Sequence, residues 1–463
     1  MKEKNIGYVI FLTIVAALGG FLFGYDTAVI SGTIEQVTLQ YQLSSLQQGW
    51  YVGCALVGSM AGVLMAGYCG EKFGRKMSLF FSGSLFLLSG IGCAIAHTID
   101  ALVIYRIIGG VAIGMVSIIS PMYISEIAIA SYRGRLVAMY QLAITAGFLG
   151  AYLVNYQLLE YAVSGVAFEN NTLQTVFVTE VWRAMLGMEA LPALLFLLIL
   201  FFIPESPRWL LLKNQQAKAV GILAKINASQ LLAEEEAAVI QSKMAGQKSH
   251  TGYRVLLQSN YFKVVVIGVA IAILGQFMGV NAVLYYGPTI FKNSGLSEGD
   301  SLFYQVLVGL VNMLTTVLAI FIIDRVGRKM LVYWGVSGMI VCLALIGLYF
   351  WRGLAWSWPN EVLLFLFLSY VFCCAVSVSA VVFVLLSELY PNAIRAMAMS
   401  IAGFSLWVGT YLIGQLTPWM LEELTPHGTF WLFAAMCLPY MYIVWKHIPE
   451  TAGKSLEEIE AMW

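Results

Sequence analysis

Three charged residues stand alone in long apolar stretches, and their types suit proton exchange. Asp26 is the single charged residue between Lys4 and Glu35, Arg106 between Asp100 and Glu126, and Glu189 between Arg183 and Glu205. A charge in such a place is costly unless it is paired, hydrated or protonated. Two carboxylates competing for one arginine leave a proton on one of them easy to exchange. Protonating Asp26 would release Arg106 and permit rearrangement. One proton crossing the membrane potential supplies about 2.3 kcal/mol per 100 mV, or about fiftyfold accumulation of a neutral solute. Two other readings stand beside this one: a purely structural ion pair, and an arginine that snorkels to the surface.

The elements that position these charges are membrane helices. The chain has 463 residues, 60% hydrophobic and only 11% charged, with mean hydropathy +0.82. Ordinary soluble domains carry about 25% charged residues. A spanning helix needs about 20 mostly apolar residues. Twelve segments qualify, near 7–33, 49–69, 77–97, 101–125, 135–157, 183–203, 263–290, 302–323, 330–350, 361–387, 396–420 and 429–448. The polar stretch near 204–262 reads as short amphipathic surface helices. The first apolar run is too long for a cleaved signal peptide, and FGYDTAVISG does not resemble a cleavage site.

Lysine and arginine set the orientation. With the N-terminus inside, the inner segments carry Lys2, Lys4, Lys72, Arg75, Lys76, Arg133, Arg135, Arg325, Arg328, Lys329 and Arg395, and the outer loops little beyond Lys292 and Arg352. Both termini and the central loop are expected in the cytoplasm. At 1.5 Å per residue, Asp26, Arg106 and Glu189 all fall in the outer half of the bilayer. Arg106 is then a partner for Asp26, with Glu189 as a second carboxylate.

The chain repeats itself. GEKFGRKM (70–77) returns as IDRVGRKM, 253 residues later from Arg75 to Arg328. SEIAIASYR (125–133) returns as SELYPNAIR, 262 residues later from Glu126 to Glu388. PESPR at 204 returns as PETAG at 449. These pairs imply two six-helix halves, 1–203 and 263–448, joined by a cytoplasmic linker at 204–262 and followed by a tail at 449–463. Transporters built from such halves bind substrate between them, near the midplane. Glu71, Arg75, Glu126, Arg133, Arg135, Glu205, Arg208, Asp324, Arg328, Glu388, Arg395 and Glu450 cluster at cytoplasmic helix ends. Plain positive-inside topology accounts for the cations but not for the duplicated glutamates. A cytoplasmic gate, latched by salt bridges, accounts for both.

The motifs GGFLFGYDTAVISG, YRIIGG, SPMYISEIA, PESPRWL, GQFMGVNAVLYY, DRVGRK, LLSELYPNAIR and PETAGKSLEEIEAMW together resemble the sugar porter family of the major facilitator superfamily, over nearly the whole chain. The likeness is greatest to bacterial D-xylose–proton symporters, through FGYDTAVISGT, VIYRIIGG and EALPALLFL. The resemblance implies an all-α, twelve-helix major facilitator fold and a proton-coupling role for Asp26, Arg106 and Glu189. It implies a sugar site built from Phe23, Gln141, Gln276, Asn281, Tyr285, Asn312, Phe383 and Trp407. Amides and aromatic faces are what a neutral polyol requires, although amides also serve as interhelical bonds. The chain departs from the family pattern at Gly275, at Phe148, at Leu406 and in helix ten. There Ser379 and Ala380 replace a Gly-Pro pair and Phe383 a tryptophan. These changes leave the sugar open.

The expectation is a monosaccharide importer driven by proton symport in the inner membrane, acting by alternating access as a monomer in the lipid bilayer. A uniporter and a transporter-like nutrient sensor are the alternatives. No enzyme motif (HExxH, GxSxG or P-loop) appears, and His97, His250, His427 and His447 lack ligand spacing, so neither metal nor cofactor is expected. Zero formal net charge gives no case for nucleic acid. The seven cysteines, odd in number and without CxxC, read as packing residues. NNT at 170–172 fits a glycosylation sequon but carries little weight beside the bacterial likeness.

Overall fold

An apolar segment in lipid must satisfy its own backbone, and helices do so residue by residue. A computed structural model describes residues 5–129, 132–246, 256, 258–353, 355–391 and 394–448; within these, the side chains of 243–246, 259, 260, 324, 383, 387 and 396 are not described. The expected tail at 449–463, with Glu450, lies outside the described residues, as do the side chains of Asp324 and Phe383.

Among the described residues, twelve helical spans are long and apolar enough to cross a membrane. The early ones are α1 (Ile6–Val29, extended by a 3₁₀ turn at Ile30–Gly32), α3 (Ser45–Lys72), α4 (Arg75–Ile95), α5 (Ile99–Ile127) and α6 (Arg133–Val163). A short α2 (Ile34–Tyr41) lies between the first two, and α7 (Asn171–Gln174) follows α6. The sixth span is broken into α8 (Trp182–Gly187) and α9 (Ala190–Leu200), because Pro192 has no N–H to bond the carbonyl four residues back. The linker holds α10 (Pro207–Leu212), α11 (Gln216–Asn227) and α12 (Gln230–Gly246) around a small core of Leu210, Leu211, Val220 and Leu223.

The seventh span is also broken, into α13 (Ser259–Phe277) and α14 (Val280–Lys292), at Gly279 with φ 89°. The spans α15 (Glu298–Val326) and α16 (Arg328–Leu348) follow. The tenth comprises α17 (Asn360–Cys374), a π-helical turn at Ala375–Ser379, and α18 (Ala380–Leu389). The last two are α19 (Arg395–Glu423) and α20 (Thr425–His447). The π-turn lies where the family's Gly-Pro pair is missing, so helix ten keeps a local distortion without those residues.

By compactness the chain forms two units. The first is Met1–Asp26, Val57–Phe148 and Leu186–His250. In it α4 packs along α5 and α9, and Gly58 and Gly62 of α3 let that helix close on the backbone of α5. The second is Thr27–Leu56, Leu149–Met185 and Thr251–Trp463. In it α16 packs on α17 and α20, and α13 on α19. The boundaries cut α1, α3 and α6, which the sequence repeat assigns whole to the first half. Polar contacts inside the second unit account for this. Lys292 pairs with Glu35, Gln36 Nε2 donates to Glu298 Oε1 (3.0 Å), Tyr152 OH to the Leu284 carbonyl (2.8 Å), and Gln415 Nε2 to the Leu46 carbonyl (2.9 Å).

Gly279 is required twice over: its φ is positive, and an added Cβ would meet the Phe433 ring at 2.4 Å. Gly279→Ala is expected to destabilise the protein by about 1–3 kcal/mol. Gly403→Ala, in α19 with nothing within 4 Å, should not. Thermal unfolding in detergent compares the two.

Candidate functional site

Asp26 and Arg106 form an ion pair buried to 0% and 2% exposure. Arg106 Nη1 donates to Asp26 Oδ1 and also to the Asp26 carbonyl, at 3.2 Å. The second carboxylate oxygen, Asp26 Oδ2, accepts no hydrogen bond from the described residues. Its neighbour is Ser89 Oγ: both lie within 2.7 Å of where a Cβ on Gly109 would stand. Glu189, 1% exposed, interacts electrostatically with Asp26 and Arg106, and its Oε1 likewise lacks a hydrogen-bond partner among the described residues. It sits at the break between α8 and α9, just ahead of Pro192. The three residues singled out by isolation are thus one buried cluster. Ser89 and Gly109 were missed. A serine in an apolar helix gives no signal by itself, and Gly109 is one glycine of the YRIIGG motif with nothing in its sequence context to single it out.

The amide residues fall in both units. In the first, Gln141 on α6 is exposed and Phe23 on α1 half-buried. In the second, Gln276 ends α13 and Asn281 begins α14, on either side of the Gly279 break. Asn281 Nδ2 donates to Gln276 Oε1 (2.7 Å), and Thr410 Oγ1, whose single proton is shared between the Leu406 carbonyl (2.9 Å) and the same oxygen (3.1 Å), lies beside it. With that oxygen accepting from Asn281, Gln276 has its NH₂ as donor and Asn281 its carbonyl as acceptor. A hydroxyl group, donor and acceptor at once, matches that pair. Thr410, also missed, lies one turn beyond Trp407 on α19. Trp407 and Asn312 are half-buried and Tyr285 is buried at 3%. The Asn312 carbonyl accepts Thr316 Oγ1 at 2.8 Å.

The charged loops form two related knots, one in each unit. In the first, Arg75 grips Glu126 through two bonds (2.7 and 2.9 Å) and donates to the Gly70 carbonyl (2.9 Å). Ser206 Oγ donates to the same carboxylate. Glu205 caps α4, accepting from the backbone N–H of Arg75 (2.9 Å), Lys76 (3.1 Å) and Ser206 (2.7 Å). Gly74, with φ 91°, makes room, since a Cβ there would lie 2.3 Å from Glu205 Oε2. In the second knot Arg328 pairs with Glu388 at 3.2 Å, and Arg395 Nε donates to the Tyr390 carbonyl at 3.0 Å. The partner of Glu126 is thus Arg75, not Arg133 seven residues on. Glu71, Arg133 and Arg135 are exposed and Arg208 half-buried.

Against known proteins, the family model described as sugar (and other) transporter matches residues 12–463. The chain belongs to this transporter family. It is 39% identical to the D-xylose-proton symporter of Escherichia coli, covering 100% of this chain and 97% of that one. It is 35% identical to the arabinose-proton symporter of Bacillus subtilis, covering 100% and 96%. Among solved structures it matches the major facilitator superfamily proton:xylose symporter XylE bound to 6-bromo-6-deoxy-D-glucose, with TM-score 0.79 and 39% identity over 99% of this chain and 100% of that one. The inward open conformation of XylE from E. coli gives TM-score 0.84 at 38% identity, over 98% and 100%. The fold is therefore the twelve-helix major facilitator fold that the resemblance implied, and the protein is a multi-pass membrane transporter.

Two predictions follow for this transporter. Gly109→Ala would drive a Cβ onto Asp26 Oδ2 and Ser89 Oγ. Uptake is expected to fall tenfold or more, at about 1–3 kcal/mol of overpacking, while the protein still reaches the membrane. The second concerns Glu205, whose carboxyl is pushed above the usual carboxylate range by burial, against the backbone N–H donors of Ser206, Lys76 and Arg75. Glu205→Ala should cost about 1–2 kcal/mol through loss of the cap. Glu205→Gln, which keeps an acceptor oxygen, should cost less. A carboxyl held more protonated in the folded state loses stability as pH rises toward its folded value, and glutamine abolishes that slope. Thermal unfolding across pH tests both points.

Proposed function

We propose that this protein imports a monosaccharide, pentose or hexose, by proton symport through alternating access. The buried Asp26–Arg106 pair, with one carboxylate oxygen unsatisfied and Glu189 beside it, carries this reading. With Asp26 ionised, Arg106 is held and the cluster is closed. A proton arriving at Asp26 Oδ2 neutralises the carboxylate, weakens its hold on Arg106, and leaves Glu189 to compete for the cation. That switch gives the proton a differential effect on two states, which any coupling requires. The sugar is read by hydroxyl-matching amides at Gln276 and Asn281. Asn312, Tyr285 and Trp407 of the same unit complete the proposed lining.

The names of the relatives, xylose, arabinose and galactose symporters, support the monosaccharide class. The lysine and arginine bias supports an inner-membrane protein with both termini in the cytoplasm, and the gate is assigned to the Arg75–Glu126 and Arg328–Glu388 knots on that side. A functional monomer without enzymatic activity completes the reading.

Reconstitution into liposomes tests it. An inward proton gradient should drive accumulation of one sugar, up to about fiftyfold per 100 mV. Asp26→Asn should equilibrate that sugar or be inert, without accumulating it. Equilibration by the wild type regardless of the gradient would make the protein a uniporter and Asp26 structural. No uptake of any sugar by folded protein would favour a sensing role or another ligand.

A further inference from the structure

A cavity of about 610 Å³ opens in the first unit between the start of α4 and the linker helices α10 and α11. Three lysines face it, Lys76, Lys218 and Lys225, together with Phe73, Met77 and Trp209. Lys218 and Lys225 are seven residues apart on α11, two turns along one face. Glu205 also borders the cavity, but its carboxylate is already taken by three backbone N–H groups. Lys76 Nζ donates to the Phe201 carbonyl at 3.1 Å, which leaves two of its three donors. The cavity therefore sets three lysines against one bordering carboxylate, Glu205, which acts on Lys76 and is already occupied by backbone donors.

Its other wall is apolar and faces lipid. Phe73 is 40% and Met77 46% exposed, and nearby Phe201 and Phe202 reach 67% and 74%. The cavity lies where the third span, Arg75–Ile95, begins, at the membrane–water boundary on the lysine-rich side. A soluble anion would use the lysines and leave the apolar wall bare. An acyl chain would use the wall and leave the lysines unmatched. A phospholipid with an anionic headgroup uses both.

We infer that this cavity binds an anionic phospholipid of the adjoining leaflet, its phosphate between Lys76, Lys218 and Lys225 and its acyl chains along Phe73 and Met77. Such a lipid bridges α11 to the start of α4 and ties the linker helices to the membrane. The inference rests on the membrane placement and not on the choice of sugar or on proton coupling.

The experiment uses the full chain in nanodiscs of phosphatidylcholine, with and without phosphatidylglycerol. It reads thermal unfolding, and lipid retention by native mass spectrometry. Phosphatidylglycerol is expected to raise the unfolding temperature of the wild type and to be retained in preference to phosphatidylcholine. Lys218→Gln with Lys225→Gln, at two exposed positions, should weaken retention about thirtyfold. Lys218→Arg with Lys225→Arg should restore it. Equal retention by wild type and the glutamine variant, or no preference for phosphatidylglycerol, would overturn the assignment. So would displacement of the bound lipid by glycerol phosphate or inorganic phosphate alone, which would mark a site for a soluble phosphate.

Discussion

The Asp26–Arg106 ion pair is the constraint around which the first unit is built. A carboxylate and a guanidinium at 0% and 2% exposure are costly to bury unless each satisfies the other. Removing either partner strands a charge in a low-dielectric interior, at about 3–5 kcal/mol. The surrounding residues are fitted to that pair. Gly109 has no side chain because the space beside its Cα is filled by Asp26 Oδ2 and Ser89 Oγ. Gly90 brings α4 close to the α8–α9 break, its missing Cβ facing the backbone of Ala190 and the Cβ of Glu189. The pair joins α1 to α5, and unlike a hydrophobic contact such a pair would be weakened by a proton on its carboxylate.

The helix breaks are the second structural theme, and each has a local cause. Pro192 opens the backbone at Glu189, and Gly279, in the left-handed region, divides α13 from α14. Discontinuous helices expose backbone groups that are tolerated in a membrane only where protein or a cavity satisfies them. Here both broken spans carry functional candidates at the break: Glu189 in one, Gln276 and Asn281 in the other. The π-turn at Ala375–Ser379 has no glycine or proline to cause it. Ser377 Oγ instead bonds the Cys373 carbonyl (2.5 Å), a side-chain bond to the preceding turn of a kind that bends helices.

Much of this was legible in the sequence because membranes simplify the code. Twelve apolar runs became twelve spans, displaced at their ends by a few residues. The isolation of Asp26, Arg106 and Glu189 located the buried charges, since a lone charge in an apolar run has few places to go. What sequence could not show was pairing across distance. Glu126 and Arg133 are near in sequence, but α5 ends between them and the chain turns, so Glu126 meets Arg75 from the neighbouring loop. Thr410 and Ser89 act through geometry alone: each is one small polar residue among many, and only a partner on another helix gives it meaning. The division of α1, α3 and α6 between compact units was hidden for the same reason, because it rests on contacts such as Gln36 with Glu298.

The repeat itself shows how the work is divided. The charged knots are duplicated: glycine at positive φ, then an arginine, then a glutamate from the end of another helix, in Gly74–Arg75–Glu126 and again in Gly327–Arg328–Glu388. The buried charges are not. Asp26, Arg106 and Glu189 have no counterparts of comparable burial in the second half among the described residues. The amide pair across a broken helix occurs in the second half, at Gln276 and Asn281, while the first half's own broken span carries Glu189 instead. Duplication thus preserved an arginine–glutamate knot at the helix ends of both halves. Divergence placed the buried carboxylates in one half and the paired amides in the other.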